Sequence, residues 1–348
     1  MFFRVPNGVR DLNANAYTPQ LVSIGPYHHG RQNLQEMQSQ KESYYFKLTI
    51  RMDLIMFENQ IPFSVLTKLY YEFFTVHVDL SNYEQKVLLP FLDLSKNFLD
   101  INMLSSPDFN ENDIQNFTDL QARSWRNIPN NEDSQGTQNT IHLYTATKLD
   151  KAGVDFILQS NEDSRSKTDE ECLNTKIEVS HLSCWRKFIP WLSTLKLELG
   201  LFAIDYNTEC LMRNVMAMEQ CQEDTSVPTP ICDYMYLMDQ LIDTEQDVDI
   251  LVEKKVIKNY LGCSKEVMEM INNLSKNISR SQNFVYHKQC NEVIKFYENW
   301  YNHAKATLIR VYFKDIGTGS STAVGFLIVI FTVISTIEAI WSIKEKNS

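Results

Sequence analysis

The stretch "AVGFLIVIFTVISTIEAIWSI", Ala323 to Ile343, constrains this chain more than any other. As a helix its 21 residues would reach about 30 Å, the thickness of a bilayer's hydrocarbon core. The uncharged run extends from Ile316 to Ile337, Glu338 stands near the C-terminal end, and Trp341 sits where an interfacial aromatic belongs. An acid at mid-span costs roughly 2.5–3.5 kcal/mol on insertion scales, and less near an interface. These features predict a single C-terminal transmembrane helix, with Ala323, Phe326, Ile330, Ile334, Ile340 and Trp341 in the anchor. The chain then divides into a body over 1–315 and an anchor with a short tail over 316–348. A buried helix of a globular core is the competing reading, but such helices seldom run so far without a polar interruption.

The N-terminal "MFFRVPNGVRDLN" lacks a basic segment followed by an apolar core, so no secretory signal is expected. A segment this close to the C-terminus would insert after translation, leaving the body in the cytosol. The expected protein is single-pass, in the plasma membrane. Lys305, Arg310 and Lys314 before the run and Lys344 and Lys346 after it add little to the orientation.

With a formal charge of -11 the chain has no basic stripe for phosphate backbones, so nucleic acid is not an expected partner. The lipid bilayer and an unknown protein are. Seven widely spaced cysteines, odd in number and without a C-x-x-C pair, fit reduced thiols better than a disulfide framework. Only ten glycines and ten prolines point to long helices.

The body reads as mainly helical, α+β, with a small sheet. Leu34, Met37, Tyr44, Tyr45 and Leu48 fit an amphipathic helix. Leu54 to Phe57 should be buried, and Pro62 should open a helix whose inner face is Phe63, Leu66, Leu69, Tyr70 and Phe73. Between them lies a polar knot, Glu58, Asn59 and Gln60. Residues 105–140 and 159–175 are rich in Asn, Asp, Gln and Ser and read as loop insertions. Strand candidates are Ile141 to Thr145, Val154 to Leu158, Ile177 to Leu182 and Leu199 to Tyr206. Helices follow from Thr208, from Pro230 with Ile231, Tyr234, Leu237, Met238 and Leu241 inward, and from Ser264. Thr244 with Asp247 resembles a capping box. Tyr286 to Val311 reads as one long helix leading to the anchor.

Several quoted stretches together resemble one family. "RVPNGVRDLNANAYTPQLVSIGPYHHG", with Gly25, Pro26, His28, His29 and Gly30, is similar to the opening motif of the plant family named for domain of unknown function 247. "MFENQIPFSVL", with Asn59, Gln60 and Pro62, resembles its second signature. "ATKLDKAGVDFI", "AMEQC" with Gln220, and "DYMYLMDQLIDTEQDVDILVEKKVIKNYLG" with Asp239 follow in the same order. The resemblance implies a plant protein with one C-terminal membrane helix and no established activity. Some grass members are associated with self-incompatibility, so it also implies a role in recognition by analogy. Relatives usually carry further residues upstream of the opening motif.

For chemistry, His28 and His29 are the first candidates. Adjacent histidines diverge, and no nearby Cys, Asp or Glu completes a zinc site. No metal or cofactor is expected, and the imidazoles should bond backbone groups left free by a turn at Gly25 and Pro26. Glu58 and Glu219 make the enzymatic alternative, a membrane-bound hydrolase or transferase, because each is a carboxylate in an apolar helix beside an amide. Facing each other across a cleft they would form a glycosidase-like pair. Joint burial in a closed network would instead fix helix register. No G-x-S-x-G, H-E-x-x-H or P-loop is present. The expected function is therefore non-enzymatic recognition or signalling.

Overall fold

The computed structural model describes residues 4–28, 44–77, 89–101, 110–125, 142–158, 175–181, 193–221, 228–276, 278, 284–312, 325, 328–329 and 331–336. Proline marks three helix entries: Pro62 precedes α3 (Phe63–His77), Pro90 caps α4 (Phe91–Leu99), and Pro230 is the first residue of α8 (Pro230–Leu241). The first turn of a helix leaves its amides unpaired in any case, so a residue without an N–H costs nothing there.

The N-terminal part contains α1 (Asn7–Arg10), 3-10 turns at Ala14–Tyr17 and Pro26–His28, α2 (Tyr44–Ile55) and a 3-10 turn at Phe57–Asn59. Beyond α4 come α5 (Phe117–Trp125) and α6 (Ala146–Lys151). The C-terminal part is built from α7 (Thr208–Gln220), α8, α9 (Glu245–Glu253), α10 (Ser264–Leu274), α11 (His287–Glu298) and α12 (Trp300–Tyr312). A three-stranded sheet places β3 (Ser193–Leu199) between β1 (Val154–Leu158), parallel to it, and β2 (Thr175–His181), antiparallel. Val154 pairs with Leu195 and Phe156 with Leu197, so one face of the pleat is buried. A parallel pair, β4 (Phe202–Ile204) and β5 (Ile257–Asn259), completes the β structure.

Two apolar clusters form the core. The larger joins α7 to α11 with the strands, and the smaller packs Phe63 of α3 against Leu92, Leu99, Phe117 and Leu120. Leu211 of α7 touches both. At the smaller cluster the rings of Phe63, Phe91 and Phe117 meet with centroids 5.1–6.4 Å apart, the range of tilted and edge-on aromatic contact.

The mainly helical body with small sheets agrees with the residue pattern, but the transmembrane helix does not. Among the described residues no helix is long and apolar enough to cross a membrane. A span needs about 20 consecutive helical residues, whereas those described in this region are 325, 328–329 and 331–336. Ile328, Val329, Phe331, Val333 and Ile334 are exposed there, while Ala323, Phe326, Ile330, Ile340 and Trp341 lie outside the described residues. A single-pass plasma-membrane protein is therefore not supported among the described residues.

Other differences have local causes. Leu69 and Phe73, expected inside, are 56% and 57% exposed, because only the Phe63 and Leu66 side of α3 meets the smaller cluster. The long helix predicted from Tyr286 to Val311 breaks at Asn299, which leaves helical geometry at ψ 107°. Its side-chain oxygen accepts the Tyr301 amide and its carbonyl accepts the Asn302 amide, a cap that competes with the helix ladder. Leu199 to Tyr206 is not one strand: Leu199 ends β3, and Phe202 begins β4 two residues after Gly200. Among the described residues His142 to Thr145 pairs with no strand, and it leads into α6, with Ile141 outside the described residues. Within the polar stretch 105–140, α5 buries Phe117, Leu120 and Trp125 along with Thr118, Asp119 and Gln121. The polar members are affordable because Thr118 donates to the Ile55 carbonyl and Asn116, itself buried, caps Asp119. Val154–Leu158 is a strand as predicted, and β2 covers most of Ile177 to Leu182. The five described cysteines are free.

The capping box at Thr244 and Asp247 is formed, and it reaches further than a box. The buried Asp247 carboxylate accepts the amides of Thr244 (2.9 Å) and of Thr147 (2.7 Å), tying α9 to α6. Burial works against the charge, but these donors outweigh it and hold the carboxyl below its ordinary range. Asp247→Ala should destabilise the fold by about 2–3 kcal/mol, from a lost cap and unsatisfied amides, seen as a lower urea midpoint. In the parent the same contribution should be present above the unfolded carboxyl value and fade as pH falls through the lowered one.

Candidate functional site

The opening motif and the "MFENQIP" stretch fold against each other, and Asn59 is the hinge of that contact. Its Oδ1 accepts the amides of Ile24 (2.8 Å) and Gly25 (2.9 Å), while its Nδ2 donates to the carbonyls of Val22 (2.8 Å) and Asp53 (2.9 Å). One buried carboxamide thus uses all four of its hydrogen-bonding positions. Gly25 is required by the approach: a Cβ there would lie 2.9 Å from the Asn59 carbonyl carbon and the Gln60 nitrogen, both backbone. Gln60 continues the network by donating to the carbonyls of Leu54 and Met56 and accepting the Phe117 amide. Pro62 closes the stretch, its carbonyl accepting the Val65 amide in the first turn of α3.

Asp53, fully buried, collects the amides of Gln20, Leu21 and Val22 at 2.6–2.9 Å. Burial raises its carboxyl above the ordinary value, with those three amides pulling the other way.

Glu58 lies on the other side of the same turn, 2% exposed. It accepts the Val5 amide at 3.1 Å and the Arg10 guanidinium, and His28 Nε2 lies 3.5 Å from its Oε2. Burial acts to raise its carboxyl, yet His28, Arg10 and Val5 prevail and hold it below its ordinary value. Burial likewise opposes the Arg10 charge, and Glu58 more than restores it. His28 is wholly buried, and among the described residues its ring nitrogens meet no backbone acceptor. The expected bonds from His28 to the turn are therefore absent, because Asn59 already occupies the turn's amides. Pro26 begins the 3-10 turn that carries His28, whereas His29 and Gly30 lie outside the described residues.

Glu219 serves a different place. Near the end of α7 and 1% exposed, it accepts the amides of Ile231 (3.1 Å) and Cys232 (2.9 Å), capping the N-terminus of α8 across space. Its neighbour Asp233 accepts the Val285 amide at 2.9 Å, which fastens the start of α11. Burial, with Glu219 adding repulsion, pushes the Asp233 carboxyl up to about 7. Among the described residues Gln220 reaches the Cys232 sulfur, at 3.9 Å. Asp239 is half-buried, raised by burial and partly relieved by Ser275.

Glu58 and Glu219 are thus held by separate elements, each by donors of this chain. Reasoning from residue types alone passes over Arg10, Asp53 and Asn214. Asn214 joins the N-terminal turns to α7 by accepting the Phe57 amide and donating to the Ala16 carbonyl. Its signal is an amide within the Met-rich apolar run of α7; Arg10 has no comparable signal, standing 48 residues from its partner. Among the described residues no group of three or more His, Cys, Asp or Glu is placed to hold a metal ion.

Glu58→Gln should cost about 3 kcal/mol, because it strands the Arg10 charge against a buried neutral group; chemical denaturation measures it. Asp233→Asn should act in the opposite sense at pH 8. A raised carboxyl lowers stability as pH climbs from its unfolded value near 4 towards about 7, so the amide should flatten that limb of the stability–pH curve.

The profile of the plant protein family of unknown function DUF247 matches residues 2–49 and 44–331. A UPF0481 protein of Arabidopsis thaliana is 24% identical over 450 aligned positions, covering 99% of this chain and 87% of that protein. A second, putative UPF0481 protein of the same plant is 31% identical over 114 positions, covering 33% of this chain and 21% of its own length. No solved structure matches.

Proposed function

This chain belongs to the DUF247 family of plant proteins of unknown function, and on that premise we propose that it is a non-enzymatic recognition or signalling protein. One observation carries the proposal: Glu58 and Glu219, the carboxylates best suited to acid–base work, are buried and spent on amides and a guanidinium of their own chain. A general acid or base must come within about 3 Å of the substrate proton it moves. These two exchange hydrogen bonds with the fold instead. The motifs that carry the family resemblance are the ones that build this lock, which fits a scaffold whose specificity resides on its surface. Discrimination of self from non-self, the association of some grass relatives, is a role of this kind.

Proximity labelling in plant tissue with the full chain tests the reading. The expected result is a recurring set of neighbouring proteins, retained by a folded Glu219→Gln variant. Labelling no different from background, or a turnover that Glu58→Gln abolishes while the protein stays folded, would count against it.

A further inference from the structure

Tyr27 belongs to neither network. Its ring is 41% exposed although His28 beside it is fully buried, and it meets that imidazole edge-on at 4.9 Å. Two guanidiniums converge on it, Arg4 at 5.4 Å and Arg10 at 5.5 Å from the ring centroid. Both cations lie within cation–π range of one ring, and their compensation by carboxylates differs. Glu58 answers Arg10 from below, inside the fold. Arg4 is exposed and, among the described residues, has no carboxylate within ion-pair reach. The aromatic face offsets part of the repulsion, on the order of 0.5–1 kcal/mol per cation at an exposed site. Arg4 thus brings a positive charge, unpaired among the described residues, to an exposed tyrosine ring whose hydroxyl has no hydrogen-bond partner among them.

We propose that Arg4, Arg10 and the Tyr27 hydroxyl form a binding site for a tetrahedral oxyanion of the phosphate class, free or carried on a partner's side chain. The guanidinium fork matches two oxygens of such an anion, and the phenol supplies a third donor. Arg10 gives one amino group to Glu58, which anchors its guanidinium beside the Tyr27 ring. The overall charge of -11 opposes an anion at long range, but that field is screened beyond about 10 Å at 0.1 M salt. Binding should consequently be local and salt-sensitive. The site stands whether or not the recognition reading does.

Purified full-length chain is titrated with sodium phosphate at constant ionic strength and, separately, with a phosphoserine peptide and its unphosphorylated twin, by calorimetry and thermal shift. Saturable binding of phosphate assigns a free anion; binding of the phosphopeptide without phosphate or the twin assigns a carried one. In either case Arg4→Gln and Tyr27→Phe, both at exposed side chains, should weaken binding about tenfold with the unliganded melting temperature unchanged. Arg4→Lys should recover only part of the loss. Failure of both probes to bind the folded parent, or undiminished binding by folded Arg4→Gln, would overturn the site.

Discussion

The Asn59 carboxamide is the interaction on which the rest of the N-terminal half depends. It replaces, at one point, the pairing that a strand or helix would supply to Val22, Ile24 and Gly25. Loop backbone can be buried only if its amides and carbonyls are satisfied, since each orphan costs about 1–3 kcal/mol. A side chain with two donor and two acceptor positions meets that requirement; an aspartate, which only accepts, would leave the Val22 and Asp53 carbonyls without a donor. Gly25 is the complementary half of the device, because the turn can lie on the Asn59 backbone only without a Cβ.

Around this point, charge is arranged in order of burial. Asp53 sits deepest with amides alone, Glu58 follows with an amide, an imidazole and a guanidinium, and Arg10 is the outermost member, 15% exposed. Glu219 repeats the same solution at a helix terminus, where the α8 dipole adds to the two amide bonds. Asp53 and Glu219 serve the backbone amides, whereas Glu58 divides itself between one amide and the side chains of Arg10 and His28. Asp233, next to Glu219 and with one amide donor among the described residues, illustrates the opposite balance: burial shifts it towards its protonated form.

What is legible in the sequence follows from range. Ile231, Tyr234, Leu237, Met238 and Leu241 recur at helical spacing, and all are buried in α8. Thr244 and Asp247 lie three residues apart, so their box is visible without knowing the fold. The knot Glu58, Asn59 and Gln60 announces burial of polar groups, but its distant hydrogen-bond partners are 34 to 57 residues away in sequence and leave no local signal. β5 is three residues long and exists only because β4 lies beside it. The break at Asn299 is a local cap that wins against an otherwise continuous apolar pattern. At Ala323 to Ile343 the apolar count alone suggests a span, but among the described residues no helix is long and apolar enough to cross a membrane.

The bonds from Asn214 to Ala16, and from Asn13 to Glu209, join residues 198 and 196 positions apart. During synthesis the N-terminal turns emerge first, yet the helix that closes them is made some two hundred residues later. At roughly 5–20 residues per second this is a wait of about 10–40 s. Through that interval Tyr17, which ends fully buried, has no core to enter. The turn at Ala16 and Tyr17 is therefore completed only once α7 has been made.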